Sequence, residues 1–218
     1  MARAATRVSP GAWTAAYERY RWFHYQRAGV AFCHIPKNAG STIAIEAYGR
    51  RLGHIPMSQI LAEMPNEKRV PIVAILRDPV ERFLSAYRYA TSGGGSDGII
   101  DGADRFTSVA TVDSLLDEFV DIPEPERDPV FRSQSFYLDA DPKELEQGSL
   151  ILIEQSNLEI LGTIPILARL GITGATHRNR SQGSEASLTP AEQARVESIY
   201  AFDRSLAERF SEFLVQPV

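Results

Sequence analysis

Two short stretches combine residue types that bind anions. In "PKNAGST" (36–42) a lysine, two small residues and two hydroxyls follow an apolar run. In "LRDPVERFLSAY" (76–87) Arg77, Arg82 and Ser85 follow a second apolar run. In the first stretch, Ala39 and Gly40 let the backbone come close to a ligand. A helix beginning at Ser41 would aim free amides and its dipole at an anion. Lys37 adds a mobile cation, and Ser41 and Thr42 add hydroxyl donors. This is phosphate-loop chemistry, yet it is not a Walker A motif. That motif closes on Gly-Lys-Ser/Thr, whereas here the lysine opens the loop. In the second stretch, Arg77 leaves the end of an apolar run, and Arg82 precedes Ser85 by three residues on one helix face. An arginine fork with a hydroxyl suits a second, separate phosphate. The plainer alternatives are a tight strand–helix turn with a solvated lysine, and a capped helix whose arginines pair with Asp78 and Glu81.

The elements around these stretches set their placement. "GVAFCHI" (29–35), "VPIVAIL" (70–76) and "SLILIEQ" (149–155) read as buried strands. Helices are expected over 41–53, 77–90 (capped by Asp78, with Pro79 at its first position), 107–121, from 155 to about Leu170, and 188–214 with a break near Asp203. The glycine-rich stretch 91–102 and most of 124–139 read as loop. Strands alternating with helices predict an α/β fold, a single P-loop-like domain with a parallel sheet flanked by helices. Residues 1–27 form an aromatic and basic lead-in to the α/β domain of 28–218. Ligands of open parallel sheets bind where strands end and helices begin. Both loaded junctions lie at that edge, which implies a nucleotide with phosphates at two places. Its 5′ group would sit on Lys37, Asn38, Ala39, Gly40, Ser41 and Thr42, and its 3′ group on Arg77 and Ser85.

Charge and composition narrow the partners. With 218 residues, 44% of them hydrophobic, the chain suits one domain with a real core. A formal net charge of -5 argues against a broad nucleic-acid surface, so an anion must be held by local positive charge. The single cysteine excludes an internal disulfide and a zinc–cysteine cluster, and no metal-ligand spacing calls for a metal. No apolar run approaches a membrane span, and the first residues lack the apolar core of a signal peptide, so a cytoplasmic location is expected.

"HIPKNAGST" and, some forty residues later, "RDPVERFLSAY" together resemble the paired signatures of the sulfotransferases that use 3′-phosphoadenosine 5′-phosphosulfate (PAPS). The similarity is to the Golgi-type carbohydrate sulfotransferases and their bacterial relatives. It continues weakly through "FRSQSFYL", "LILIEQSNLEIL" and "LTPAEQARVESIYAFDRSLAERF", so it spans roughly 28–212. The resemblance implies transfer of a sulfuryl group from PAPS to a hydroxyl of a carbohydrate or glycoconjugate. The product would be adenosine 3′,5′-bisphosphate (PAP). Residues 36–42 would cradle the 5′-phosphosulfate and 77–85 would clamp the 3′-phosphate. Arg178 and Arg180 fall where such enzymes commonly place a cationic lid, and Arg132 and Gln134 match acceptor-side positions. Val130 and Ser133 stand where many relatives carry a histidine and a proline, so no role of that histidine carries over.

Transfer of this kind needs a base, an in-line geometry and charge stabilisation on the leaving phosphate. Lys37 is the natural stabiliser. Glu46, four residues after Thr42 on the same helix face, is the first candidate base, and it resembles a position where several carbohydrate sulfotransferases keep a glutamate or histidine. His54 is the second, because an imidazole suits the task. His34 reads as a structural histidine, His24 has no role assigned, and Glu154 reads as a structural tie. Two other classes stay open: a P-loop kinase or NTPase with Asp78 as its Mg²⁺ acid, and a non-catalytic PAP-binding protein.

Overall fold

The computed structural model describes residues 10–95, 98–99, 111–173 and 187–216. Three strands form a sheet in the order β1–β2–β5: β1 (Ala31–Cys33), β2 (Ile72–Leu76) and β5 (Leu150–Glu154). All pairings are parallel, with Cys33 opposite Ala74 and Leu76 opposite Glu154. β2 is buried at all five residues, as a central strand covered on both faces must be. Beyond β5, Leu214 forms a parallel bridge with Leu152, and the Val215 amide donates to the Leu152 carbonyl at 2.9 Å. The C-terminal segment thus covers an edge that would otherwise expose unpaired backbone. The α/β class with a parallel sheet and flanking helices agrees with the sequence pattern.

Helix α1 (Pro10–Ala28) packs on β1, α2 (Gly40–Tyr48) and α3 (Met57–Glu63). Its Tyr25 lies in the core against Tyr48, ring centroids 5.7 Å apart, and its Arg21 makes a buried ion pair with Glu63. The described part of the stretch read as a lead-in, from Pro10, therefore contributes to the sheet's own core. No helix among the described residues is long and apolar enough to cross a membrane.

Several elements depart from the sequence pattern for identifiable reasons. α2 ends at Gly49, which takes the left-handed conformation (φ 69°) and returns its amide to the Ile45 carbonyl, so the helix stops one turn before Gly53. α3 falls in a stretch with no predicted helix. β3 (Gly94–Gly95) and β4 (Gly98–Ile99) pair antiparallel within the expected loop 91–102. After α4 (Pro79–Thr91) and α5 (Val112–Asp121), the expected loop 124–139 contains the short helix α6 (Gln134–Tyr137). The helix expected after β5 is a 3₁₀ stretch over Gln155–Thr163 followed by α7 (Pro165–Arg169). The expected long C-terminal helix is α8 (Pro190–Ile199), α9 (Ala201–Arg204) and α10 (Leu206–Arg209). It breaks at Tyr200 and Ser205, on either side of Asp203, which turns inward: one carboxylate oxygen accepts from the Gln134 amide and the other from the Ser135 amide, at 2.9 and 2.8 Å.

Two hydrophobic clusters result. One surrounds the sheet, with Phe32, Ile75, Leu152 and Phe210 in it. The other lies among α4, α5 and α8, with Phe83, Leu116, Phe131 and Val196 in it. Their seam carries buried polar groups, Arg82 and Gln134 foremost, each 1% exposed.

Candidate functional site

The loop from β1 to α2 and the residue after β2 meet at the carboxyl edge of the sheet. In the loop, Lys37 (φ 69°) and Ala39 (φ 63°) both adopt left-handed backbone without being glycine. Such residues cost about 1–3 kcal/mol each and persist only where the surroundings hold them. No side chain among the described residues caps the start of α2, and Ser41 and Thr42 sit half-buried in its first turn. These amides and hydroxyls can bind an anion.

Two cations converge on this position. Arg77 donates from Nη1 to the Lys37 carbonyl at 3.1 Å, and the Lys37 ammonium stands 4.0 Å from the centre of the Tyr89 ring. No carboxylate pairs with Lys37 among the described residues. Burial, then the Arg77 and Arg51 guanidinia, lower its pKa from 10.5 to about 8. Among the described residues Arg77 has one acidic partner, the exposed Glu81, at 3.6 Å. Its own pKa is lowered, first by burial and then, against the pull of Glu81, by Arg82 and Arg88. Glu81, Ser85 and Arg88 follow Arg77 at intervals of four, four and three residues, a single face of α4. Ser85 is nine-tenths buried, and its hydroxyl makes no hydrogen bond within the described residues. The arrangement suits anions at two adjoining places: Lys37 with the start of α2, and Arg77 with Ser85. Arg51, Arg88 and Tyr89 were not singled out from the sequence. Only Arg88, three residues after Ser85, carried a readable spacing.

Gly40 serves packing as well as any ligand. A Cβ there would stand 2.3 Å from Cδ2 of His34 and 2.7 Å from Cε1 of Phe32. Gly40→Ala is expected to cost about 1–3 kcal/mol of stability by overpacking, measured as an earlier chemical-denaturation midpoint. An unchanged midpoint would contradict the packing.

Other candidates are engaged inside the fold. Asn38 is 1% exposed and donates from Nδ2 to the Ile75 carbonyl and to Oε1 of Gln134, both at 2.6 Å. It therefore anchors the loop rather than facing a ligand. Gln134 is equally buried, and Arg132 donates to the Arg127 and Pro125 carbonyls at 3.0 and 2.8 Å. Both side chains are thus engaged with backbone groups of the fold, Gln134 with those of Arg77. Arg82 donates to the Pro36, Val130 and Arg132 carbonyls and lies over the Tyr200 ring, so it is neither a phosphate ligand nor a surface ion-pair partner. Asp78 caps α4, one carboxylate oxygen accepting from the Val80 and Glu81 amides at 3.0 Å each. Glu154 ends β5 without capping the turn that follows, so the tie expected of it is not made there. Arg178 and Arg180 lie outside the described residues.

The two base candidates differ in setting. Glu46 is half-buried on α2, one turn beyond Thr42. His54 keeps an exposed edge and donates from Nδ1 to the His34 carbonyl at 2.8 Å, while its ring lies against that of His34, tilted by 50° with centroids 4.1 Å apart. That bond assigns the proton to Nδ1 and leaves Nε2 an acceptor, as a base requires. Desolvation of the ring, with Arg51 adding to it, holds the His54 pKa below its usual value against the pull of the His34 carbonyl and Asp128. His34 is buried and neutral, its pKa pushed well down by burial, His54 and Arg51. Its Nδ1 has no hydrogen-bond partner among the described residues, so it is a packed histidine but not a satisfied one.

The fold and this edge define an α/β protein with a cationic strand-end site. No protein-family model, no curated protein and no solved structure matches the chain.

Proposed function

We propose that the protein is a sulfotransferase that moves the sulfuryl group of PAPS to a hydroxyl acceptor, best sought among carbohydrates and glycoconjugates. The observation that carries this is the meeting of Lys37 and Arg77, cations from two successive strand ends, beside the uncapped start of α2. A nucleotide with separate 5′ and 3′ phosphates fits two adjoining cationic places better than the linear triphosphate of a kinase does. The bound state is proposed to hold the 5′-phosphosulfate on Lys37, Ser41, Thr42 and the α2 amides, and the 3′-phosphate on Arg77 and Ser85.

In the in-line step, the acceptor oxygen forms a bond to sulfur as the bond from sulfur to the phosphate oxygen breaks. The acceptor proton passes to the base, and the leaving PAP carries away the electron pair. Lys37 stabilises that developing charge in a partly desolvated place, where a fixed cation acts most strongly. His54 Nε2 or the Glu46 carboxylate takes the proton. Turnover tests this directly: PAP release from PAPS is measured over a panel of oligosaccharide acceptors. Acceptor-dependent PAP release is expected. Phosphoryl transfer from ATP·Mg²⁺ without PAP release would overturn it in favour of a kinase, and PAP binding without turnover would favour a non-catalytic nucleotide binder.

The depressed Lys37 pKa gives a pH dependence whose sign is fixed. Its folded value, about 8, lies below the ordinary 10.5, so the folded protein loses a proton that the unfolded chain keeps. Between those values the ligand-free protein gains stability from this group as pH rises. Anion binding needs the charged form, so PAP affinity is expected to fall as pH rises through about 8. Titrations at pH 7 and 9 check this, and equal affinities at both would remove Lys37 from the phosphate site.

A further inference from the structure

β1 stops at Cys33, opposite Ala74, while β2 runs on through Leu76 to Arg77. Past that point the backbone of β2 has no strand on its β1 side among the described residues, and two side-chain amides take the strand's place. Asn38 donates to the Ile75 carbonyl. Gln134 accepts from the Arg77 amide at 2.9 Å and donates to the Arg77 carbonyl at 2.8 Å, pairing with that residue as a neighbouring strand would. The Asn38 amide then joins the Gln134 oxygen at 2.6 Å. Gln134 is itself fixed from behind, its own amide held by Asp203 at 2.9 Å. Asn38 belongs to the loop that carries Lys37, and Arg77 begins the second cationic place. One bridge of two buried amides therefore connects both.

We propose that Gln134, with Asn38, is a positioning residue that fixes the spacing between the two phosphate places and so selects a nucleotide bearing two separate phosphates. This rests on the two-phosphate function proposed above. The bridge touches neither phosphate; it holds the backbones that do. Binding both phosphates at once gains affinity only when the second contact is intramolecular at a matched distance. Without the bridge each place keeps its own cation, but the distance between them is no longer set.

The test compares affinities for PAP, adenosine 5′-monophosphate and adenosine 3′-monophosphate by calorimetry, in the wild type and in Gln134→Met. Wild type is expected to bind PAP at least tenfold more tightly than either monophosphate. Gln134→Met is expected to lose about tenfold or more for PAP while each monophosphate changes less than about threefold. A uniform loss across the three ligands would mean a merely structural role and overturn the proposal, as would an unchanged preference for PAP. Gln134→Glu keeps the size and the acceptor oxygen but loses the donor to Arg77, and it serves as the second variant where Gln134→Met does not fold. The same selective loss is expected of it. Wild type that binds neither PAP nor a monophosphate would overturn the underlying function, and the bridge's role with it. Wild type that binds PAP with variants unchanged would overturn the bridge alone.

Discussion

Lys37→Ala is expected to lower sulfuryl-transfer turnover by about 100- to 1000-fold, the usual cost of removing a fixed group that stabilises charge in the transition state. The lysine is placed for that role by its surroundings. Its backbone is held left-handed, its ammonium rests on the Tyr89 ring, and Arg77 grips its carbonyl. None of these contacts is an ion pair whose loss would open the core. Alanine also tolerates the position no worse than lysine does, since neither side chain favours φ 69°. Stability is therefore expected to stay within about 1 kcal/mol of wild type. The pairing of a large kinetic loss with a small stability change is the signature to measure. Unchanged turnover would take Lys37 out of the mechanism, and a large stability loss would make it a folding residue.

Arg82→Ala is expected to do the reverse, costing about 3–5 kcal/mol of stability. Arg82 sits at the seam of the two cores, 1% exposed, and donates to carbonyls of the Pro36 loop and of the 130–132 segment. Alanine leaves those carbonyls with fewer donors and leaves a void. Asp203 also loses a cation that favours its charged form. Burial raises the Asp203 pKa, and Arg82 is the foremost influence lowering it. Without the guanidinium that pKa rises further, so a larger share of the deficit is present once the carboxyl ionises. The stability gap to wild type should accordingly narrow as pH falls through the Asp203 titration. Denaturant midpoints at neutral and acidic pH check both statements. A loss of PAP affinity with stability intact would return Arg82 to the phosphate site.

The contrast between Lys37 and Arg82 shows what the sequence could and could not convey. The strands were legible because β2 and β5 are short apolar runs bounded by polar residues. α4 was legible because Asp78 and Pro79 form a local start signal, and the structure has that cap. Cationic residues at both strand ends followed from the same pattern. The division of labour among them did not. Arg77 and Arg82 look alike in "RDPVER", and only the tertiary packing sends one to the edge and the other into the seam. Gln134 likewise reads as a polar residue of a loop. Its partners, Asn38 and Asp203, are 96 and 69 residues away, and no local spacing encodes them. The same long-range contact draws the Asp203 side chain inward between the two breaks of the C-terminal helix, at Tyr200 and Ser205, across which the sequence periodicity continues. α3 was missed because it is one short helix of seven residues, capped across the fold by Asp139, which accepts from the Ser58 amide at 2.8 Å.

Calorimetric titration of the wild-type protein with PAP at pH 7, beside a titration with ATP and Mg²⁺, tests the two-phosphate site most directly. Saturable PAP binding at one site, with much weaker ATP binding, is the expected result. It should be accompanied by a higher unfolding temperature at saturating PAP, because a ligand of the native state stabilises it by mass action. Absence of PAP binding together with Mg²⁺-dependent ATP binding would contradict it, and would make the Lys37 loop that of a phosphoryl-transfer enzyme.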